Sequence, residues 1–390
     1  MKRTFGISLL SAMLIMGQPF MALADTTGVK VLNFEDIQSI ITEQNIDIQI
    51  NQNDNLKTKV GYSDLKRNIK DLEDDIDDIN KKRNRSSDVS QSIALGAEKS
   101  ALLDALKQAE RSVVDQPTVE AMADIEASMN NDSLMRTAEI SFIDYNKAKL
   151  KSADISMQIK TAENKLAVMQ LQESLGIISS NDMNSLKTQL VDMRTQLESN
   201  KFQQDSLERQ LKNLLNDQEN TLVIGSVPFA NENFSIEDVD ADLKQSLENN
   251  FGIKIKEQKI VMLQSTLDRA KKDHGLSSKE YKTADYELTN ATLELAQLKD
   301  TLKSNYDTMV DDIAKMQNNL RLAEQNLNDK KVALSEAQIR LSLGMITQLE
   351  VDNATTEYQV QDNAVKTLQI ELFNAKYGYN WFLKGMPWAV

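Results

Sequence analysis

Few residues in this sequence have the types and spacing that covalent or metal chemistry needs. There is one histidine, His274, and no cysteine. A nucleophile–base pair needs an activating group within reach, and a zinc site needs three or four His, Cys or carboxylate ligands. His274 stands beside Gly275 at the end of a periodic run, where a basic ring suits the negative end of a helix. It reads as a helix C-terminal residue and not as a ligand. Carboxylates are plentiful, as in Asp71-Leu72-Glu73-Asp74-Asp75-Ile76-Asp77-Asp78. In such a run, pairs of acids fall on a solvated helix face without forming an acid–base couple. No Gly-rich phosphate loop is present. The sequence therefore predicts no enzymatic activity, no cofactor and no bound metal.

The net charge is −14 over 390 residues, which repels phosphate and argues against a nucleic-acid partner. The residues that stand out lie instead in a turn that occurs twice. It reads Ser174-Leu175-Gly176-Ile177-Ile178-Ser179 and again Ser342-Leu343-Gly344-Met345-Ile346-Thr347, 168 positions later. A glycine just past a periodic run ends a helix by entering the left-handed region. The Ser or Thr that follows offers a hydroxyl to cap the next helix. Each turn is thus predicted to be the tip of an antiparallel helical hairpin. Leu175, Gly176, Ile177, Arg340, Leu343, Gly344 and Met345 form a candidate docking surface, because small and apolar residues at an exposed turn invite a partner.

The elements that must present these tips follow from hydrophobic spacing. After Gly344 the stripe is Val351, Ala354, Tyr358, Val365, Leu368, Leu372, Ala375, Tyr379 and Phe382. After Gly176 it is Met183, Leu186, Leu190, Met193, Leu197, Leu207, Leu211 and Leu214. Steps of three and four are a coiled-coil seam. Shared turn and shared register at one offset indicate an internal duplication. The 68 residues between Gly275 and Gly344 contain no Gly or Pro. As one helix they would span about 100 Å, which requires a rod and not a compact domain.

The remaining segments are assigned more coarsely. Residues 1–24 read as a secretory signal: Lys2-Arg3, then an apolar run from Phe5 to Met16, then Ala22-Leu23-Ala24 before Asp25. No later run is long and apolar enough to span a bilayer as a helix. A first repeat is placed at 25–215, a linker at 216–235 and a second repeat at 236–390. Asn33 to Ile50 reads as one helical stretch matching Val239 to Ile255. Breaks are expected at Asn84–Asp88, at Asp115–Thr118 around Pro117, and at Asn130–Ser133. The first half is longer than the second, which suggests an inserted helical pair near residues 85–130. Leu222-Val223-Ile224 could form a short strand. Trp381 and Trp388 are expected to dock on the body of the protein.

This assembly resembles the TolC-type outer-membrane efflux proteins. The likeness rests on the two halves, on Arg340-Leu341-Ser342-Leu343-Gly344, and on the returning seam from Val351 to Tyr379. It covers most of residues 33–384. The fold expected is all-α, with two homologous halves of long antiparallel coiled-coil hairpins: a TolC-like α-helical duct protomer. The resemblance implies a homotrimer, a periplasmic adaptor (membrane fusion) protein at the tips and an inner-membrane transporter behind it. It implies an exported protein of the cell envelope, periplasmic or outer-membrane-associated, or outside the cytoplasmic membrane in a one-membrane cell. It also implies a constriction lined by acidic residues just past the turns, here Asp182, Glu350 and Asp352. The family's tip lock of Arg and Tyr is replaced by Ile346 and Leu341.

A second departure concerns the β-barrel that the family builds from two hairpins per subunit. A barrel strand needs roughly ten alternating residues, and neither half offers them. A TolC-like protein without the barrel is therefore expected, with no direct bilayer insertion. Any membrane contact would run through another protein or the aromatic C-terminus. The competing function is an exported coiled-coil structural or cell-surface protein with no transport role.

Overall fold

The computed structural model describes residues 29–228 and 234–388. The secretory signal lies outside the described residues, as does part of the linker. Strand β1 (Val29–Leu32) leads through a single 3-10 turn into α1 (Ile37–Gln44) and α2 (Ile46–Arg85). Helix α3 (Val89–Ser174) then runs to the first tip, and α4 (Asn184–Leu214) returns from it. The same order follows again: β2 (Thr221–Ile224), α5 (Val239–Asn249), α6 (Phe251–His274), α7 (Lys279–Ser342), a tip, and α8 (Gln348–Leu383).

Helices α3 and α7 contain 86 and 64 residues, so they extend about 130 Å and about 95 Å. They lie in one layer. Helix α3 packs against α4 on one side and α8 on the other, and α8 packs in turn on α7. Among the described residues α2 lies along α3, and α6 lies against both α7 and α3.

The polar caps explain where helices stop. Asn45, expected inside one helix, is an N-cap with extended backbone: its side-chain oxygen accepts from the Ile48 N–H. Its Nδ2 donates to the Leu214 carbonyl at 2.7 Å, tying the break to the end of α4. Asn250 repeats the arrangement, accepting from the Ile253 N–H and donating to the Gly385 carbonyl. The stretches Asn33–Ile50 and Val239–Ile255 are therefore each two helices and not one. An Asn competes with helical hydrogen bonding through its own side chain.

Two expected breaks are absent. Residues 115–118 and 130–133 are continuous helix within α3, and Pro117 sits inside it. Proline removes one helical hydrogen bond, and neighbouring helices offset that cost here. Arg269 of α6 grips Asp115 with two hydrogen bonds of 2.5 and 2.8 Å, and donates to the Arg111 carbonyl. Gln116 donates to the Thr58 carbonyl of α2. At the second site Asn51 of α2 donates to Asn131. The break at residues 86–88 is real, with Asp88 capping α3 through the Ser90 N–H.

No helical pair is inserted in the first half. The extra length is shared by the two legs of one hairpin: α2 has 40 residues against 24 in α6, and α3 has 86 against 64 in α7. Where barrel hairpins would interrupt each half, only short turns stand, at residues 86–88 and 275–278.

The two halves meet at one core. Strand β1 pairs with β2 in parallel, Val29 opposite Thr221 through Leu32 opposite Ile224. Leu32, Ile37, Ile41, Phe142, Ile143, Leu211, Leu215 and Ile224 are buried together there. Each such side chain contributes about 1.5–3 kcal/mol by leaving water. A second cluster gathers Ile253, Tyr306, Met309, Tyr379 and Phe382, with Trp388 packed on it. The C-terminal aromatics dock as expected: Trp381 is buried, and Trp388 lies over Gly378.

Candidate functional site at the hairpin tips

Both tips are built by one mechanism. Gly176 and Gly344 have φ of +71° and +67°, which only glycine adopts without strain. At the first tip the Gly176 N–H donates to the Glu173 carbonyl and the Ile177 N–H to the Gln172 carbonyl. At the second, Gly344 donates to Leu341 and Met345 to Arg340. This is the Schellman pattern, which satisfies the last carbonyls of α3 and α7.

A capping box then starts each returning helix. Asp182 accepts from the Ser179 N–H at 2.8 Å and from its hydroxyl at 2.9 Å. Glu350 accepts from the Thr347 N–H at 2.7 Å and from its hydroxyl at 2.9 Å. The backbone N–H of Ser179, and then its hydroxyl, hold the Asp182 carboxyl below its ordinary range. Thr347 does the same for Glu350, with Arg340 nearby adding a smaller pull. Two of the three acidic residues expected at a constriction are thus engaged in closing their own helices. The third, Asp352, accepts from Gln348 at 2.9 Å and from Asn164 of α3 at 3.3 Å.

The two tips lie at one end of the molecule. The Asn164–Asp352 contact joins the first hairpin to the second about three turns from Gly176 and about two from Gly344. Two further rungs continue it down the seam between α3 and α8. Thr161 and Thr356 share a hydrogen bond of 2.6 Å, and Asn363 donates to Asp154 at 2.6 Å. Burial raises the Asp154 carboxyl above its ordinary range, opposed by that bond. The sequence reading missed these rungs, because each is a pair of ordinary polar residues far apart in the chain.

Leu175, Ile177, Leu343 and Met345 are each 64–67% exposed, while Ile178 and Ile346 fold back and are half-buried. Each tip therefore presents two apolar side chains flanking a bare glycine, with nothing within 4 Å of where a Cβ would stand. Arg340 is exposed beside the second tip.

The fold recurs among solved structures. The chain superposes on the outer-membrane channel OprN with a TM-score of 0.65, 11% identity and 90% of each chain covered. The fold is TolC-like. Superposition on CusC, a protein that forms a transmembrane channel, gives a TM-score of 0.59 at 10% identity, covering 90% of this chain and 92% of that one. The open-state outer-membrane channel MtrE of Neisseria gonorrhoeae gives 0.57 at 9% identity, covering 91% and 89%. No family model matches the chain, and neither does any curated protein.

The two halves are also joined by a buried polar network that the sequence did not disclose. Trp381 Nε1 and Gln38 Nε2 each donate to Glu139 at 2.6 Å. Arg136 lies 3.6 Å from Glu139 and donates to Asn374 at 2.8 Å. Burial pushes the Arg136 guanidinium down from its ordinary range, and Glu139 opposes that shift. Nearby, Tyr379 shares a hydrogen bond with Tyr306 and donates to Asp242. Burial, and then the Asp242 acceptor, hold the Tyr379 hydroxyl far above the usual phenol range. These groups are held in place by their partners. Among the described residues no cluster of three or more His, Asp or Glu could hold a metal.

Proposed function

We propose that this protein is an exported component of an efflux or type I secretion-like system, in which copies of the chain close into an α-helical duct. The observation that carries the reading is the open helical layer. Its order is α4, α3, α8, α7, so α4 and α7 form two free edges. Val191 and Phe202 on α4, and Leu322, Val332 and Ile339 on α7, are at least half exposed. An α7 edge of one copy set against an α4 edge of the next is a head-to-tail contact, which generates a ring when the rotation closes. The likeness to channel proteins supports the same arrangement, with three copies and with the two halves, 25–215 and 236–390, as repeats of one unit.

In that ring the tips gather at one mouth. Leu175, Gly176, Ile177, Arg340, Leu343, Gly344 and Met345 would meet a periplasmic adaptor, which couples the duct to an inner-membrane transporter. Asp182, Glu350 and Asp352 would lie just inside, as a band of negative charge near the constriction. Gly344→Asp should abolish adaptor binding and leave helicity unchanged.

The deciding measurement is the mass and shape of the purified protein. Light scattering should give three copies, and electron microscopy a hollow tapering particle. Phe202→Asp, which places a charge on the α4 edge, should give a folded monomer. A wild-type protein that stays a monomeric rod at micromolar concentration would sink the duct and leave the structural coiled-coil reading in its place.

A further inference from the structure

The end of the molecule opposite the tips carries a second surface of different chemistry. Near the turn that joins α6 to α7, Asp273 pairs with Lys107 at 2.9 Å and with Arg111. The α2–α3 hairpin continues about 27 Å past that level before it turns at residues 86–88. Its end projects beyond the other hairpin.

The last turn of α2 is locally cationic, while Asp71, Glu73, Asp74, Asp75, Asp77 and Asp78 lie about two to four turns behind it. Residues 79–97 contain Lys81, Lys82, Arg83 and Arg85 against Asp88 alone, four cations and one anion, in a protein of net charge −14. All four cations are exposed. Lys81 pairs with Asp78. No ion pair is formed by Lys82, Arg83 or Arg85 among the described residues. The adjoining start of α3, Val89-Ser90-Gln91-Ser92-Ile93-Ala94-Leu95-Gly96-Ala97, has no charged residue at all. Within it Val89 and Ile93 are 73% and 69% exposed, pointing away from the α2–α3 seam. A helix dipole accounts for cations at the C-terminus of α2. It does not account for two bare apolar side chains one turn away.

We infer that the projecting end of the α2–α3 hairpin docks on an anionic phospholipid surface, with Lys82, Arg83 and Arg85 against the headgroups and Val89 and Ile93 in the interface. Unpaired cations beside exposed apolar side chains suit such a surface, where attraction to anionic lipid and apolar burial add together. Among the described residues no helix is long and apolar enough to cross a membrane, so the contact is peripheral. The C-terminal aromatics, the expected route to a membrane, are unavailable for it because Trp381 and Trp388 are packed on the body. The inference does not depend on duct formation.

Cosedimentation of the purified chain with vesicles tests it. Binding should be strong to phosphatidylglycerol–phosphatidylcholine vesicles, weak to phosphatidylcholine alone, and lost at high salt. Each surface cation contributes about a factor of five. The triple variant Lys82→Gln, Arg83→Gln, Arg85→Gln should therefore bind anionic vesicles about 100-fold more weakly. Val89→Ser with Ile93→Ser should lose about tenfold. A control of equal net charge, Lys165→Gln, Lys187→Gln, Lys201→Gln on the tip-side helices, should bind like wild type. Circular dichroism checks that all variants keep their helicity. Equal binding to neutral and anionic vesicles would overturn the inference, as would equal losses in the control. Soluble polyphosphate that binds the chain as tightly as the vesicles do, with no effect of the two serine substitutions, would replace the membrane by a free polyanion and also overturn it.

Discussion

Replacing Gly344 by alanine tests whether the left-handed glycine is what ends α7. Its φ is +67°, and a Cβ there would meet nothing within 4 Å. The cost is therefore conformational only, about 1–2 kcal/mol for an L-residue in that region. It falls on two hydrogen bonds of 2.9 Å, from Gly344 to Leu341 and from Met345 to Arg340. The tip is a local unit far from the cores, so its opening should be read locally and not by global melting. Amide hydrogen exchange at residue 345 should accelerate about 5- to 30-fold, since about 1.4 kcal/mol is tenfold. Asparagine visits the left-handed region more readily, so Gly344→Asn should accelerate exchange less. Gly96 is the matched control. It lies inside α3 with an ordinary helical backbone and open space around it. Gly96→Ala should stabilise its segment by about 0.5–1 kcal/mol. The two substitutions should differ in sign. If Gly344→Ala leaves residue 345 exchanging as in wild type, or if both alanines stabilise, then backbone conformation does not terminate this helix and the tip argument fails. Thr347→Ala should add about 1 kcal/mol of local destabilisation by removing one half of the capping box, and Thr347→Ser should not.

Two further outcomes follow from buried polar groups. Asn45→Ala removes an N-cap and leaves the Leu214 carbonyl without its 2.7 Å donor, which should cost about 2–4 kcal/mol in chemical denaturation. Asn45→Ser keeps the cap and should cost about half as much; equal losses would mean the Leu214 bond contributes nothing. Asp154→Asn should raise the melting temperature at neutral pH and not under acid conditions. Burial raises this carboxyl in the folded state, so its favourable contribution is present below the ordinary value of about 4 and is lost as pH rises through the folded value. A melting temperature lowered equally at both pH values would refute the burial argument.

What the sequence disclosed was local, and what it withheld was pairwise. The tips were legible because Gly176 with Ser179, and Gly344 with Thr347, carry their own stop and start signals within six residues. The short strand at Leu222–Ile224 was legible as an apolar run at a break. Its partner Val29–Leu32 was not, because a four-residue strand is defined only by what it pairs with. Pro117 was misread for the same reason. A proline argues for a break by local rules, and here Arg269, 152 positions away, holds Asp115 beside it and keeps the helix whole. Asn45 was misread in the opposite direction, as helix interior, because the carbonyl that rewards its capping conformation belongs to Leu214.

The same distinction separates what closes each half from what joins the two. Asn45 bonds to the end of α4, and Asn250 to the residues following α8, so each half ties its own first break to its own last helix. A unit that satisfies its own caps can be repeated without redesign, which fits two halves of one element order. The joints between halves are of another kind. They are the β1–β2 pairing, the Asp154–Asn363, Thr161–Thr356 and Asn164–Asp352 rungs, and the Glu139 network with Trp381. None of these polar rungs has a matching bond at the corresponding place in the other half, because a protomer has only one α3–α8 seam. A closed ring of such protomers would need an α4–α7 seam between copies, and these two helices carry exposed apolar side chains, Phe202, Leu322 and Val332 among them, beside exposed charged ones. Polar rungs fix register within a chain, where the partner is always present. Exposed apolar side chains suit a contact that must form between separate chains, where removing area from water supplies the driving force.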